Sequence, residues 1–315
     1  MGEQIEFPKN YGTYMQLAMS ALERGNYEEA TEHLKKAYQL KDENSLNILL
    51  VSSLYHNGQI KEALEYAEEK LAFYEKNEKR LLLLVELLIQ SNQFLQARKY
   101  IDDNSKSTVE YAINWSQLDD QLTDRQYEKE KERIEYESTL VKKLFSLAAV
   151  TQDEQFKLVD EAANLKTENL EKAAPSVFQN PYVHPLARSG YLSLLVERKS
   201  EKEFSYSWFG ESKSVVPADC QRFDYDPVLV SVVEKIDDYC AQNPSLRELV
   251  LNELMTVLLN LFPFISEVVQ EEDAIDWVKV VSFTIDGDPQ SLEGVSQNKS
   301  DYISQWIDKV HRQLQ

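Results

Sequence analysis

The sequence predicts a mostly α protein: an N-terminal α-solenoid of paired helices, followed by a helical C-terminal domain carrying a small β-hairpin. Three observations predict it. A short pattern of Gly or Asn, a large apolar residue two positions on, and Ala three further begins at Gly25, Gly58 and Asn92, at spacings of 33 and 34 residues. Helical hairpins that stack into solenoids repeat with that period. Only 8 glycines and 9 prolines interrupt 315 residues, which favours long regular elements over low-complexity chain. Lastly, one alternating segment, Glu203 to Trp208, departs from the helical spacing and reads as a half-buried strand.

Each residue of the repeat has a mechanical reason. Gly25 and Gly58 end a helix where the chain takes a positive φ, which glycine adopts cheaply, and Asn92 fills the same place in the third copy. Tyr27, Ile60 and Phe94 open the second helix of each pair and plug the space between the two. Ala30, Ala63 and Ala97 sit where the paired helices approach most closely. One turn later Leu34, Ala67 and Ile101 return to the apolar face. Asn26 and Glu29 have the spacing of a capping box at the start of a helix. Before the three turns run the apolar sets Tyr14, Leu17, Ala18 and Ala21, then Leu50, Val51 and Leu54, then Leu81, Leu84, Val85 and Leu88.

These residues resemble the tetratricopeptide (TPR) repeat. Two departures stand out: Lys70 falls where the second copy expects a small residue, and Asp42 takes the first place where a closing proline is usual. Three repeats span residues 1–105. Linking helices follow over 106–174, with Tyr111, Ile113 and Trp115 in a helix from Thr108 to Leu122 that reads as a degenerate fourth repeat. The chain is expected to break at Asp102-Asp103-Asn104-Ser105, and a second helix runs from Arg125 to Leu147, with its charged first half on a solvated face.

A further helix is expected from Gln155 to Lys172. Pro175, Pro181 and Pro185 then mark a change of architecture, opening a C-terminal domain over 175–315. Pro185 to Glu197 reads as a helix. The hairpin lies near 203–217, with Gly210 to Lys213 as its turn and Ser214 to Pro217 as its return strand. Helices resume at Pro227. Ser245 and Glu248 have capping-box spacing for the helix through Leu249–Leu261, Asp286 to Pro289 is a loop, and Tyr302 to Leu314 is the last helix. The whole layout resembles a family of cytosolic bacterial TPR proteins that have a segment like Pro181-Tyr182-Val183-His184-Pro185 ahead of a hairpin around Trp208-Phe209-Gly210. That resemblance implies organisation and brings no assigned reaction.

Composition narrows the function classes. A net charge of −20 argues against nucleic-acid backbones and anionic membrane surfaces, and favours a basic partner. Cys220 and Cys240 read as reduced thiols, and the acidic start Met1-Gly2-Glu3-Gln4-Ile5-Glu6 lacks the pattern of an export signal. The expected location is cytoplasmic. No catalytic, metal or cofactor site is expected. The histidines His33, His56, His184 and His311 are unpaired in sequence with metal-ligand partners, no glycine cluster cradles phosphate, and Asp286-Gly287-Asp288 lacks the remaining ligands of a calcium loop.

The groove carries the functional expectation. Its candidate lining is Met15, Met19 and Leu22 from the first repeat, then Ile48, Leu49, Ser52 and Tyr55, then Leu82, Leu83, Glu86 and Ile89. Repeats that clamp a carboxylate terminus use basic and amide residues there, and only Lys79 matches, so an acidic peptide end is not the expected ligand. Leu46–Leu54 and Leu81–Ile89 are apolar nearly all round, so both faces need cover. Either later helices of the chain fill the groove or a partner helix does, and the first is favoured. The expected function is a non-enzymatic scaffold or adaptor binding a basic or amphipathic polypeptide. The alternatives are an intracellular peptide-sensing regulator, and an enzyme subunit with a polar pocket near His184, Tyr206 or Trp208.

Overall fold

The computed structural model describes residues 10–104 and 110–314. The expectations for Met1–Glu6, for Ser105 and for a helix start at Thr108 lie outside the described residues. The chain divides into two compact units, Met1–Arg133 and Ile134–Gln315.

The first unit is a stack of antiparallel helices: α1 (Tyr11–Glu23), α2 (Tyr27–Leu40), α3 (Asn44–His56), α4 (Ile60–Glu69), α5 (Leu71–Glu75), α6 (Glu78–Gln90), α7 (Phe94–Asn104) and the first part of α8 (Ala112–Phe145). The three repeat turns close in the same way. Gly25, Gly58 and Asn92 take φ values of 70°, 75° and 65°. Behind each, the next backbone N–H reaches five residues back round the helix end: Asn26 to Ala21 O at 2.9 Å, Gln59 to Leu54 O at 2.9 Å and Gln93 to Leu88 O at 2.8 Å. These are Schellman closures, which satisfy carbonyls that the helix end would leave bare. Ala30, Ala63 and Ala97 are fully buried, as the close approach requires.

Three local expectations change. The side-chain oxygen of Asn26 caps α2 by accepting from Glu29 N. The Glu29 carboxylate, though, takes the Asn26 side-chain amide, because Asn26 N already serves Ala21 O. At Lys70 the backbone leaves the helical region (φ −117°, ψ 31°), so the second repeat ends early and restarts as α5. Lys70 Nζ turns outward to Asp42 Oδ2 at 2.7 Å, and Tyr74 fills the core instead. The two helices expected over 108–147 are one helix of 34 residues, α8. Thr123-Asp124 contains no breaker, and the charged run that follows is laced by i,i+3 pairs such as Arg125–Glu128 at 3.3 Å and Lys129–Glu132 at 2.6 Å.

The second unit holds the rest of α8, then α9 (Gln152–Ala162), α10 (Thr167–Phe178), α11 (Pro185–Glu197), β1 (Phe204–Trp208), β2 (Glu211–Val215), α12 (Pro227–Tyr239), α13 (Pro244–Leu261), α14 (Ala274–Asp286) and α15 (Gln297–Leu314). The helix expected over Gln155–Lys172 is therefore two helices. Pro175 does not end α10, because it lies in the last turn, where Ala174, Val177 and Phe178 are buried and outweigh one lost hydrogen bond. α13 is capped by Asn243, whose Oδ1 accepts from Leu246 N at 3.2 Å with Pro244 at the first helical position, so the Ser245/Glu248 box is not formed. α15 begins five residues earlier than expected.

The antiparallel hairpin pairs Phe204 with Val215 and Trp208 with Glu211. Its turn is Phe209-Gly210, both at positive φ, rather than Gly210 to Lys213. Phe204, Tyr206 and Trp208 face inward. Phe178 meets Tyr191, Phe204 and Tyr206 at ring separations of 5.9, 5.6 and 5.2 Å, and Trp208 Nε1 donates to Leu261 O at 3.1 Å.

Candidate partner-binding groove

The first helices of the successive pairs, α1, α3 and α6, present the predicted groove residues. Met15, Leu22, Ile48, Leu49, Ser52, Tyr55, Leu82, Leu83 and Glu86 are half-buried, and Met19 is 44% exposed. Ile89 is different: at 1% exposure it belongs to the core and has no surface to offer. The Tyr55 hydroxyl donates to the Glu86 carboxylate, joining α3 to α6. Burial, and then that carboxylate, push the phenol up to about 12, so it stays a donor.

α8 continues the stack where the first helix of a fourth pair would stand. Trp115, Leu118 and Leu122 enter the core of the first unit. Trp115 Nε1 donates to Glu78 Oε1 at 2.8 Å, and Arg98 pairs with Asp119. Ile113, by contrast, is exposed. Between α6 and α8 a cavity of about 390 Å³ remains, lined by Leu82, Leu83 and Glu86 with Asn114, Gln117 and Gln121 opposite. Those three amides are the lining that the sequence reading missed. Their spacing of three and then four residues, one helical face, was the available signal. Lys79 stands at the same cavity. The α6 wall thus sets two leucines between Lys79 and Glu86, and the α8 wall sets three amides beside Leu118.

The histidines serve local structure. His56 stacks on Tyr27 at 4.8 Å, His311 meets Glu253 at 2.6 Å, and His184 Nδ1 accepts from Leu186 N at 3.2 Å as the cap of α11. Burial, and then Arg188, lower the His184 pKa. Arg188 itself is 4% exposed and donates to Ser207 O, Asn180 O and Val183 O at 2.8, 3.0 and 3.1 Å. Gln155 completes the hold on the proline segment, accepting from His184 N at 2.7 Å. Tyr206 and Trp208 are core residues packed on this framework. Burial pushes the Tyr206 phenol up to about 12 and the Cys220 thiol up to about 11, so neither is primed as a nucleophile. Among the described residues no group of three His, Cys, Asp or Glu side chains is placed to hold a metal ion. Nor is any helix there long and apolar enough to cross a membrane.

A family model described as tetratricopeptide repeat matches residues 12–41, the α1–α2 hairpin with its Schellman turn. That first hairpin is similar to a tetratricopeptide repeat. The turns at Gly58 and Asn92 repeat its closure, and tetratricopeptide repeats generally mediate protein–protein interaction. The chain is also similar to a protein of Bacillus subtilis (strain 168) named "TPR repeat-containing protein YsoA", 26% identical over 273 residues, which cover 82% of this chain and 80% of that one. An alignment of that length exceeds the first unit and so reaches well into the second. No solved structure matches the chain.

Proposed function

We propose that this protein is a non-enzymatic cytoplasmic adaptor that holds an uncharged-to-basic amphipathic segment of a partner protein in the groove of its first unit. The observation that carries the reading is the cavity between α6 and α8, with Leu82 and Leu83 on one wall and Asn114, Gln117 and Gln121 on the other. Apolar side chains of a partner gain by leaving water against the leucines, while the amides offer donors and acceptors to its polar groups. The groove carries Met15, Met19, Leu49 and Leu83 where a carboxylate clamp would need cations, which turns the preference away from acidic peptide ends. Two free thiols, Cys220 and Cys240, suit a reducing compartment. The cover supplied by Trp115, Leu118 and Leu122 is partial, and the cavity is what that cover leaves for a partner.

The test is co-purification of tagged full-length chain from its native cells, followed by reconstitution with each purified candidate. Leu83→Glu and Gln117→Glu should weaken the reconstituted complex at least about tenfold while leaving the helical content intact. A partner bound equally well by both variants, or no reproducible protein partner alongside a retained small metabolite, would sink the proposal.

A further inference from the structure

Within the second unit, the last turns of α8 and the start of α10 border a second cavity of about 390 Å³. That volume lies in the range of small-molecule sites, about 300–1,000 Å³. Its floor is apolar. Ile134, Val141 and Phe145 recur along one face of α8, and Ile134 and Phe145 keep 56% and 45% of their surface exposed. Lys142, Lys166 and Lys172 stand round this floor, and none of the three is ion-paired among the described residues. Two carboxylates also line the cavity. Glu137 is buried and takes the side-chain amide of Asn169, so it faces the protein, while Glu168 is exposed in the first turn of α10. Three exposed lysines lining one cavity beside an apolar strip run against the general character of a chain with net charge −20.

We infer that this cavity binds a free, elongated amphipathic anion, a straight acyl chain ending in a carboxylate or phosphate. The chain lies along Ile134, Val141 and Phe145, where it removes the exposed surface of Ile134 and Phe145 from water together with its own. The head sits among Lys142, Lys166 and Lys172, where point charges on flexible stems match a compact anion. Neither part suffices alone: an uncharged chain leaves the lysines unused, and a bare anion leaves the strip wet. The inference uses neither the repeats nor the partner proposed for them.

Isothermal titration of the full chain with decanoate and decyl phosphate, both below micelle-forming concentration, tests it. Saturable 1:1 binding is expected, with decan-1-ol and inorganic phosphate each at least about tenfold weaker. The triple variant Lys142→Gln, Lys166→Gln, Lys172→Gln and, separately, Phe145→Ser should each weaken decanoate at least about tenfold, and replacing the three lysines by arginine should restore it. Lys235→Gln on α12, outside the cavity lining, should change nothing. Equal binding of decan-1-ol, insensitivity to the lysine variants, no binding of decanoate, or binding only to vesicles of anionic phospholipid would each overturn the proposal.

Discussion

Asn47 is fully buried in α3, and its side chain is spent on three neighbours. Nδ2 donates to Tyr38 OH at 3.2 Å and to Tyr66 O at 2.8 Å, and Oδ1 accepts from Tyr74 OH at 2.9 Å. One amide therefore ties α2, α4 and α5 to α3, and it compensates for the helix that breaks at Lys70. Asn47→Leu keeps the volume, strands the Tyr74 hydroxyl and the Tyr66 carbonyl, and leaves the Tyr38 hydroxyl only Glu69, so urea unfolding should show a loss on the order of 3 kcal/mol. An unchanged midpoint would mean that the tyrosines find other partners. His184 makes a pH-dependent contribution of predictable sign. Its folded pKa lies below the ordinary 6.5, so the unfolded chain takes up the proton first. Stability from this site is then whole above about pH 6.5 and falls as the solution is acidified below it. His184→Asn keeps a capping acceptor without titrating, and its stability curve should be flatter between about pH 6.5 and 5. Curves of equal slope would remove His184 from the account. These details were hidden in the sequence: Asn47 looked like one polar residue in an apolar helix, and nothing local marks Arg188 as buried among carbonyls. Partners that lie far apart along the chain leave no spacing to read.

At the scale of elements, the three repeat turns were legible because each rests on a local backbone need. Gly58 has no atom within 4 Å of where a Cβ would stand, so Gly58→Ala meets only the backbone penalty of positive φ. The expected loss is about 1–2 kcal/mol. Asn92→Gly at the equivalent turn should gain under about 1 kcal/mol. Thermal melts of the two variants should shift in opposite directions, and a shared direction would mean that side-chain contacts govern the turns. α8 was misread for the opposite reason. The amphipathic stretch ending at Leu122 gives way to a charged run from Arg125, yet composition does not break a helix; a lost hydrogen bond or a glycine does. Thr123→Pro tests the continuity. In one unbroken helix it costs about 3 kcal/mol or more, whereas at a joint it would be tolerated with little change in melting temperature. The hairpin turn was displaced by two residues because Gly210 is the second of its turn residues and Phe209, a bulky side chain at φ 48°, is the first. Its ring packs on Trp208 and Trp306 at 5.1 and 5.4 Å, a tertiary reward that turn statistics do not contain.

For the whole molecule, the sequence made the solenoid plain and left the second unit's core obscure. Periodicity exposes stacked repeats, because each copy restates the same contacts. The aromatic cluster around Phe178, Tyr206 and Trp208 draws on α10, β1, α13 and α15, and no period links them. Half of the groove was legible, the leucines of α6; the amide wall was not, because α8 joins the stack without the repeat signature. The charge of −20 acts at this scale too. Association with a basic partner should be accelerated by long-range attraction, so its on-rate in stopped flow should fall about tenfold or more as salt is raised from about 10 to 150 mM, with dissociation little affected. A flat salt response would point to a neutral partner seated by apolar contact alone.

The identical closures at Gly25, Gly58 and Asn92 also give the first unit a mechanical character. Each hairpin is sealed by its own short-range bonds and leans on its neighbours, so tension applied along the stack should release it in discrete steps rather than by one global rupture. The second hairpin, which Asn47 ties together internally and to α2 and α5, is the toughest link in that series. In an optical trap its release should come last, and Asn47→Leu should bring that final step down in force and shuffle the order of release.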